Sequence, residues 1–170
     1  MNIFYLHKDP SKAPTFLYDK HCVKMILETA QMLCTAHHHY GQGDNVPYKK
    51  AYYNHPSTQW ARQSKQNYMW LYNYFVNINI EYHARYNKIH KSWIDCRYAL
   101  EKAPQGIPNT GFTQPPQCMP DKYKDKCSLQ AYWNYYIHGK SHIPRSTEGV
   151  WQQPPFDMVQ EKLLKICTVC

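Results

Sequence analysis

Glu28 and His21 are the side chains best placed by type and spacing to do acid–base chemistry. They stand seven residues apart in the run Asp19-Lys20-His21-Cys22-Val23-Lys24-Met25-Ile26-Leu27-Glu28. On an α-helix, at about 100° per residue, they project almost the same way, two turns and roughly 10 Å apart. A carboxylate held like this can serve as a general base or stabilise a cationic transition state. Gln31 follows on the same stripe and is a further candidate partner of the acid. The competing reading of Glu28 is a surface ion pair with Lys24, four residues earlier.

Other residues invite other chemistry. His21, His37-His38-His39, His55 and His90 could ligate a metal together with Glu28. No HExxH motif is present, and three consecutive histidines face three sides of a helix. No metal ligand and no cofactor is therefore assigned. The segment Tyr132-Trp133-Asn134-Tyr135-Tyr136-Ile137-His138-Gly139-Lys140 interleaves aromatic faces with a positive tip. Such a segment suits base stacking and phosphate contact, and equally suits an aromatic helix that closes a core. Trp133, Tyr135 and Tyr136 are its stacking candidates, and Lys140, Arg62 and Lys65 are phosphate-contact candidates. The terminal Cys167-Thr168-Val169-Cys170 has no matching second pair and reads as an inert tail.

The elements that must carry these groups are helical. Val23, Ile26, Leu27, Ala30, Leu33 and Cys34 recur at spacings of three and four. They predict an apolar stripe on a helix over about 17–38, with Asp19 as N-cap and Gly41, Gly43 and Pro47 ending it. Asn54 is expected to cap a second helix, which Pro56 begins. Its spacing of three and four runs uninterrupted through Trp60, Trp70, Phe75 and Tyr82 to about Lys88, roughly 45 Å. A shorter helix is expected over 92–100, another over 128–140 and a last one over 156–167. Residues 2–6 read as a short strand or an arm laid on the core. Residues 103–121 and 141–155 carry Pro and Gly at positions that break regular structure. The expected fold is mainly α: a single compact helical domain over 1–170, built on two long helices, with long proline-rich loops.

Composition narrows the partners. The 170 residues carry a formal charge of +8, with 16 Tyr and 5 Trp. Excess positive charge attracts polyanions, and aromatic faces stack on bases, so nucleic acid is the expected partner. No apolar run reaches membrane-spanning length, and the apolar piece at 3–6 is too short for a secretory signal. Seven cysteines at irregular spacing argue against a disulfide framework, so a reduced, cytoplasmic setting is expected.

Asp19-Lys20-His21, with Glu28 seven residues past the histidine, resembles the first helix of the phage pyrimidine-dimer DNA glycosylases, the T4-type endonuclease V enzymes. Trp133-Asn134-Tyr135-Tyr136 with Gly139-Lys140 is similar to their C-terminal segment, which lies by the DNA. Tyr68-Met69-Trp70-Leu71 through Glu81 and Arg85-Tyr86 is similar in pattern to their long second helix. Met1-Asn2-Ile3-Phe4-Tyr5-Leu6, Asp9-Pro10 and the Asp-Lys-His start also resemble a group of phage proteins that carries no known activity.

The glycosylase resemblance implies a compact helical enzyme that extrudes a nucleotide from the duplex and cuts the glycosidic bond. Its nucleophile would be an N-terminal α-amine, here that of Met1, which forms an imine with the sugar. Its glutamate would be Glu28, with His21 and Gln31 beside it. Asn2 stands where the family exposes a small Thr, and Leu27 and Gln31 stand where it flanks the glutamate with Arg. The expected function is a DNA N-glycosylase, with or without strand-cleaving lyase activity, acting on double-stranded DNA as a monomer in a phage-infected host cell. Two alternatives remain open: a non-catalytic nucleic-acid-binding module, and a His/Glu metal-dependent hydrolase of nucleotides or nucleic acid.

Overall fold

The computed structural model describes residues 1–143. The expected last helix, the Trp151 loop and the Cys167–Cys170 pair lie outside the described residues. The described chain is mainly α, and two long helices dominate it. Helix α1 spans Asp19–His39, α2 Pro56–Gln63, α3 Lys65–Tyr86, α4 Lys91–Cys96 and α5 Ser128–Asn134. Helix α1 packs against α2, α3 and α4. One continuous buried cluster runs from the N-terminal arm through these helices to Tyr136.

Helix α1 buries Cys22, Met25, Ile26, Thr29, Ala30, Met32, Leu33 and Cys34. Two members of the expected stripe are outside: Val23 is 38 % and Leu27 41 % exposed. The core stripe is therefore rotated toward Met25 and Met32, because α2, α3 and α4 cover only that side. Asp19 is not the N-cap. Tyr18 holds that position without a side-chain cap, and Asp19 accepts a hydrogen bond from Arg85 Nη1 at 3.0 Å. The helix ends at Tyr40, and Gly41 follows with φ +71°, a left-handed turn that glycine adopts at no steric cost.

The expected 30-residue second helix is two helices. The chain is extended at Ser64 (φ −148°, ψ 155°), whose hydroxyl accepts from the Asn67 N–H. The interruption is stabilised from far away in sequence. Lys65 N–H donates to Pro108 O at 2.7 Å, Ser64 Oγ donates to Gly111 O at 2.7 Å, and the buried Asn67 amide donates to Trp60 O and Thr113 Oγ1. Residues 101–120, without a regular helix, thus supply the partners that a continuous helix would have supplied itself. Helix α2 is capped by His55, whose Nδ1 accepts from the Ser57 N–H, and not by Asn54. Helix α4 is shorter than expected, ending at Cys96. Helix α5 stops at Asn134 and continues as one π-helical turn, Tyr135–Gly139.

Residues 3–6 form an arm threaded into the core rather than a strand. Ile3, Phe4, Tyr5 and Leu6 are each at most 5 % exposed. Phe4 has φ 52°, an uncommon conformation for a bulky residue, held by tertiary contacts.

Candidate active site

The arm delivers the amino terminus to α1. Asn2 makes three kinds of contact there. Its backbone N–H donates to Glu28 Oε2 at 3.3 Å, its Oδ1 accepts from the Ile3 N–H at 2.8 Å, and its Nδ2 donates to Cys118 O at 3.0 Å. Covalent geometry keeps the Met1 amine within about 4 Å of the Asn2 nitrogen. The Met1 thioether is held by Thr58 Oγ1 at 3.3 Å. Asn2 and Cys118 line the candidate site and were not among the sequence candidates. Nothing local to either marks them, since their partners lie 26 and 116 residues away.

Around Glu28 lies a cleft of about 230 Å³. Met1, Asn2 and Phe4 come from the arm, His21, Lys24 and Glu28 from α1, Cys118 from the long loop, and Tyr135 and Lys140 from the π turn and its end. The volume falls below the ~300–1,000 Å³ of sites that enclose whole small molecules. It suits the reacting part of a larger substrate. Glu28 Oε1 pairs with Lys24 Nζ at 3.1 Å, with the Glu28 side chain 13 % exposed. The ion pair of the competing reading therefore exists, and it forms part of the cleft wall. Lys24 and Lys140 face one carboxylate here, a balance that favours phosphate groups.

His21 is fixed from two sides. Its ring stacks on Phe4 at 4.3 Å between centroids, and its Nδ1 lies 2.9 Å from Tyr136 Oη. That hydroxyl also accepts the Tyr18 N–H at 2.6 Å. Burial, and then the charges of Lys140, Lys24 and Lys20, push the His21 pKa down from 6.5 to about 4. The imidazole is neutral at pH 7. A histidine held neutral in the fold is protonated more readily in the unfolded chain, so its contribution is intact above about pH 6.5. It is lost as pH falls from there through about 4. Chemical denaturation of the wild type should weaken over this window more steeply than that of His21→Gln. Parallel pH profiles would disprove the assignment.

Tyr135 and Lys140 meet the cleft, with Lys140 Nζ 4.9 Å from the Tyr135 ring centroid. Gly139 permits this packing, because a Cβ there would sit 2.5 Å from Tyr135 Cδ2. A π turn of this kind often marks a functional position. Other expected contact residues are interior. Trp133 is 1 % and Tyr136 2 % exposed. Trp133 packs edge-on to Phe16, and Tyr136 stacks on Tyr18. Neither ring has a free face for a base. Arg62 is 8 % exposed. It donates to Tyr53 O at 2.7 Å and lies over the Tyr53 ring, so it is a structural residue rather than a phosphate contact. Lys65 is exposed at the start of α3 and does not line the cleft. Gln31 lines a neighbouring pocket with Leu27 instead of the Glu28 cleft.

The histidine run is distributed as the spacing implied. His37 pairs with Tyr68 Oη, His38 with Tyr48 O and His39 with Tyr53 Oη. Among the described residues no group of three or more His, Cys, Asp or Glu is arranged to hold a metal ion. No helix of the described residues is long and apolar enough to cross a membrane.

The family model for pyrimidine dimer DNA glycosylase matches residues 1–95. The chain belongs to the pyrimidine dimer DNA glycosylase family. No curated protein and no solved structure matches it. Membership places it among DNA glycosylases, with DNA as its substrate class. The region shared with the pyrimidine dimer DNA glycosylases carries the arm, α1, α2 and α3. It contains the Glu28 and His21 side of the cleft, whereas Cys118, Tyr135 and Lys140 lie beyond it.

Proposed function

We propose that this chain is a DNA N-glycosylase with lyase activity, acting on pyrimidine dimers in duplex DNA, with Glu28 as its essential acid and Met1 as its nucleophile. The observation that carries the reading is the cleft itself, where the amino terminus, Glu28, His21, Tyr135 and Lys140 line one recess. A recess of this size cannot reach the sugar of a stacked nucleotide, so the target is extruded first. The α-amine adds to C1′ of the dimer's 5′ sugar as the glycosidic bond breaks; the bonding pair stays on the pyrimidine, which takes a proton from solvent and remains tethered through the dimer. The added ammonium gives one proton to Glu28, which passes it to the ring oxygen as that oxygen leaves C1′ with its bonding pair, giving the protonated imine. Glu28 takes the C2′ proton, and the 3′ phosphate leaves by β-elimination. His21, a neutral imidazole, positions the sugar or the leaving pyrimidine. Lys140 and Lys24 hold phosphate, Tyr135 offers the aromatic face, and Lys65 meets the backbone further out. The resemblance to phage enzymes supports an infected host cell as the setting, and residues of a single copy line the cleft, which supports a monomer.

Borohydride reduction during the reaction separates this reading from hydrolysis. The expected result is a covalent protein–DNA adduct, absent when the amine is blocked by reductive methylation. Glycosidic-bond cleavage without any adduct would assign the attack to water oriented by Glu28. DNA binding with no glycosidic-bond cleavage under any condition would leave only a binding module.

A further inference from the structure

A second pocket lies on α1 beside the cleft. It encloses about 480 Å³ and is walled by Leu27 and Gln31 of α1 and by residues 47–51. Lys24 and Glu28 line the first recess while Leu27 and Gln31 line the second. Glu28 and Gln31 are separated by about 4.5 Å of helix rise. The two recesses are neighbouring lanes along one helix.

The 47–51 segment is held firmly at both ends. Thr35 Oγ1 donates to Ala51 O at 3.1 Å and accepts from the Ala51 N–H at 3.0 Å. Tyr48 O is bound by His38 Nε2 at 2.9 Å, and Tyr48 Oη reaches Ser92 Oγ at 3.0 Å. Between these anchors Lys49 and Lys50 are exposed and line the pocket. Neither has a carboxylate within ion-pair distance among the described residues, whereas Lys24, Lys91 and Lys124 do. Lys50 is braced over the Tyr53 ring, 5.0 Å from its centroid.

We propose that this pocket is a phosphodiester subsite for the same DNA strand that presents its target to the Glu28 cleft, with Lys49 and Lys50 as its cationic contacts. It rests on the DNA-glycosylase reading for its occupant. Charge complementarity and continuity with the cleft favour a DNA strand. At 3.4 Å of rise per nucleotide on one strand, a backbone leaving the cleft passes this pocket within about one to three nucleotides. Leu27 and Gln31, the α1 residues that line this pocket, carry no charge, and Lys49 and Lys50 supply it from a loop.

The test is the salt dependence of binding to an undamaged duplex, for the full chain and for Lys49→Gln/Lys50→Gln. Removing two phosphate contacts should flatten the slope of log K against log salt by about 1.8. A control pair of exposed lysines elsewhere, Lys12→Gln/Lys88→Gln, should change it by much less. The rate of glycosidic-bond cleavage at saturating enzyme should be unchanged in the pocket variant, because these residues hold the strand and do not touch the reacting sugar. An unchanged slope, or an equal change in the control pair, overturns the subsite. Because binding is read on undamaged DNA, this outcome is independent of glycosidic-bond cleavage, whose absence would count against the glycosylase reading alone.

Discussion

Glu28→Gln is expected to lower single-turnover glycosidic-bond cleavage by about 10³-fold while leaving the protein folded. General acid–base groups contribute about 10²–10⁴-fold, and among the described residues Glu28 is the one carboxylate lining the cleft. In barrier terms 10³-fold is about 4 kcal/mol. Glutamine has the same shape and can still accept the Asn2 N–H that Glu28 Oε2 accepts. What it loses in stability is the pair with Lys24, whose side chain is 65 % exposed. Helix-surface pairs of this spacing contribute only about 0.3–0.5 kcal/mol. Thermal unfolding should therefore be nearly unchanged while activity collapses. A variant that cleaved the glycosidic bond within tenfold of the wild type would remove Glu28 from the mechanism.

The largest expected effect on stability is at Arg85. This guanidinium is buried, with its side chain 2 % exposed against Glu81 and Asp19. Its Nη1 donates to Leu17 O at 2.7 Å and to Asp19 Oδ1 at 3.0 Å, its Nη2 to Pro14 O at 3.4 Å, and its Nε to Glu81 Oε1 at 2.8 Å. It ties the end of α3 to the turn that leads into α1. Arg85→Met keeps the aliphatic stem but strands two carboxylates and the Leu17 carbonyl, while Pro14 O keeps the Leu17 N–H at 3.0 Å. Breaking such a buried pair costs about 3 kcal/mol or more. For a chain of this size that is a fall in Tm of roughly 6–12 °C. The loss should reach the site as well, because the Tyr18 N–H at the start of α1 carries the Tyr136 hydroxyl that orients His21. A Tm within about 2 °C of the wild type would show that the network is dispensable.

The legible part of the site was the part written on one helix. Helical period alone put His21 and Glu28 on one stripe of α1, and the structure places both in one cleft. The resemblance to glycosylases rested on these residues, on the pattern over 68–86 and on the 133–140 segment; the family match covers the first two and ends before the third. The aromatic segment near 135 was legible as a unit but not residue by residue. Whether Tyr135 or Tyr136 faces the cleft depends on the π turn, which shifts the phase of side chains after Asn134. Uninterrupted apolar spacing concealed the break at Ser64, because its compensating partners, Pro108 and Gly111, lie more than forty residues on.

By itself the sequence determined the mainly α character, the two long helices and the shared face of His21 and Glu28, since these follow from periodicity within a few turns of chain. Tertiary structure alone decided which basic and aromatic residues are interior, and that Met1, Asn2, Cys118 and Lys140 gather round the acid. Those contacts are made by hydrogen bonds and packing between segments distant in the chain, for which no local pattern is required and none is present.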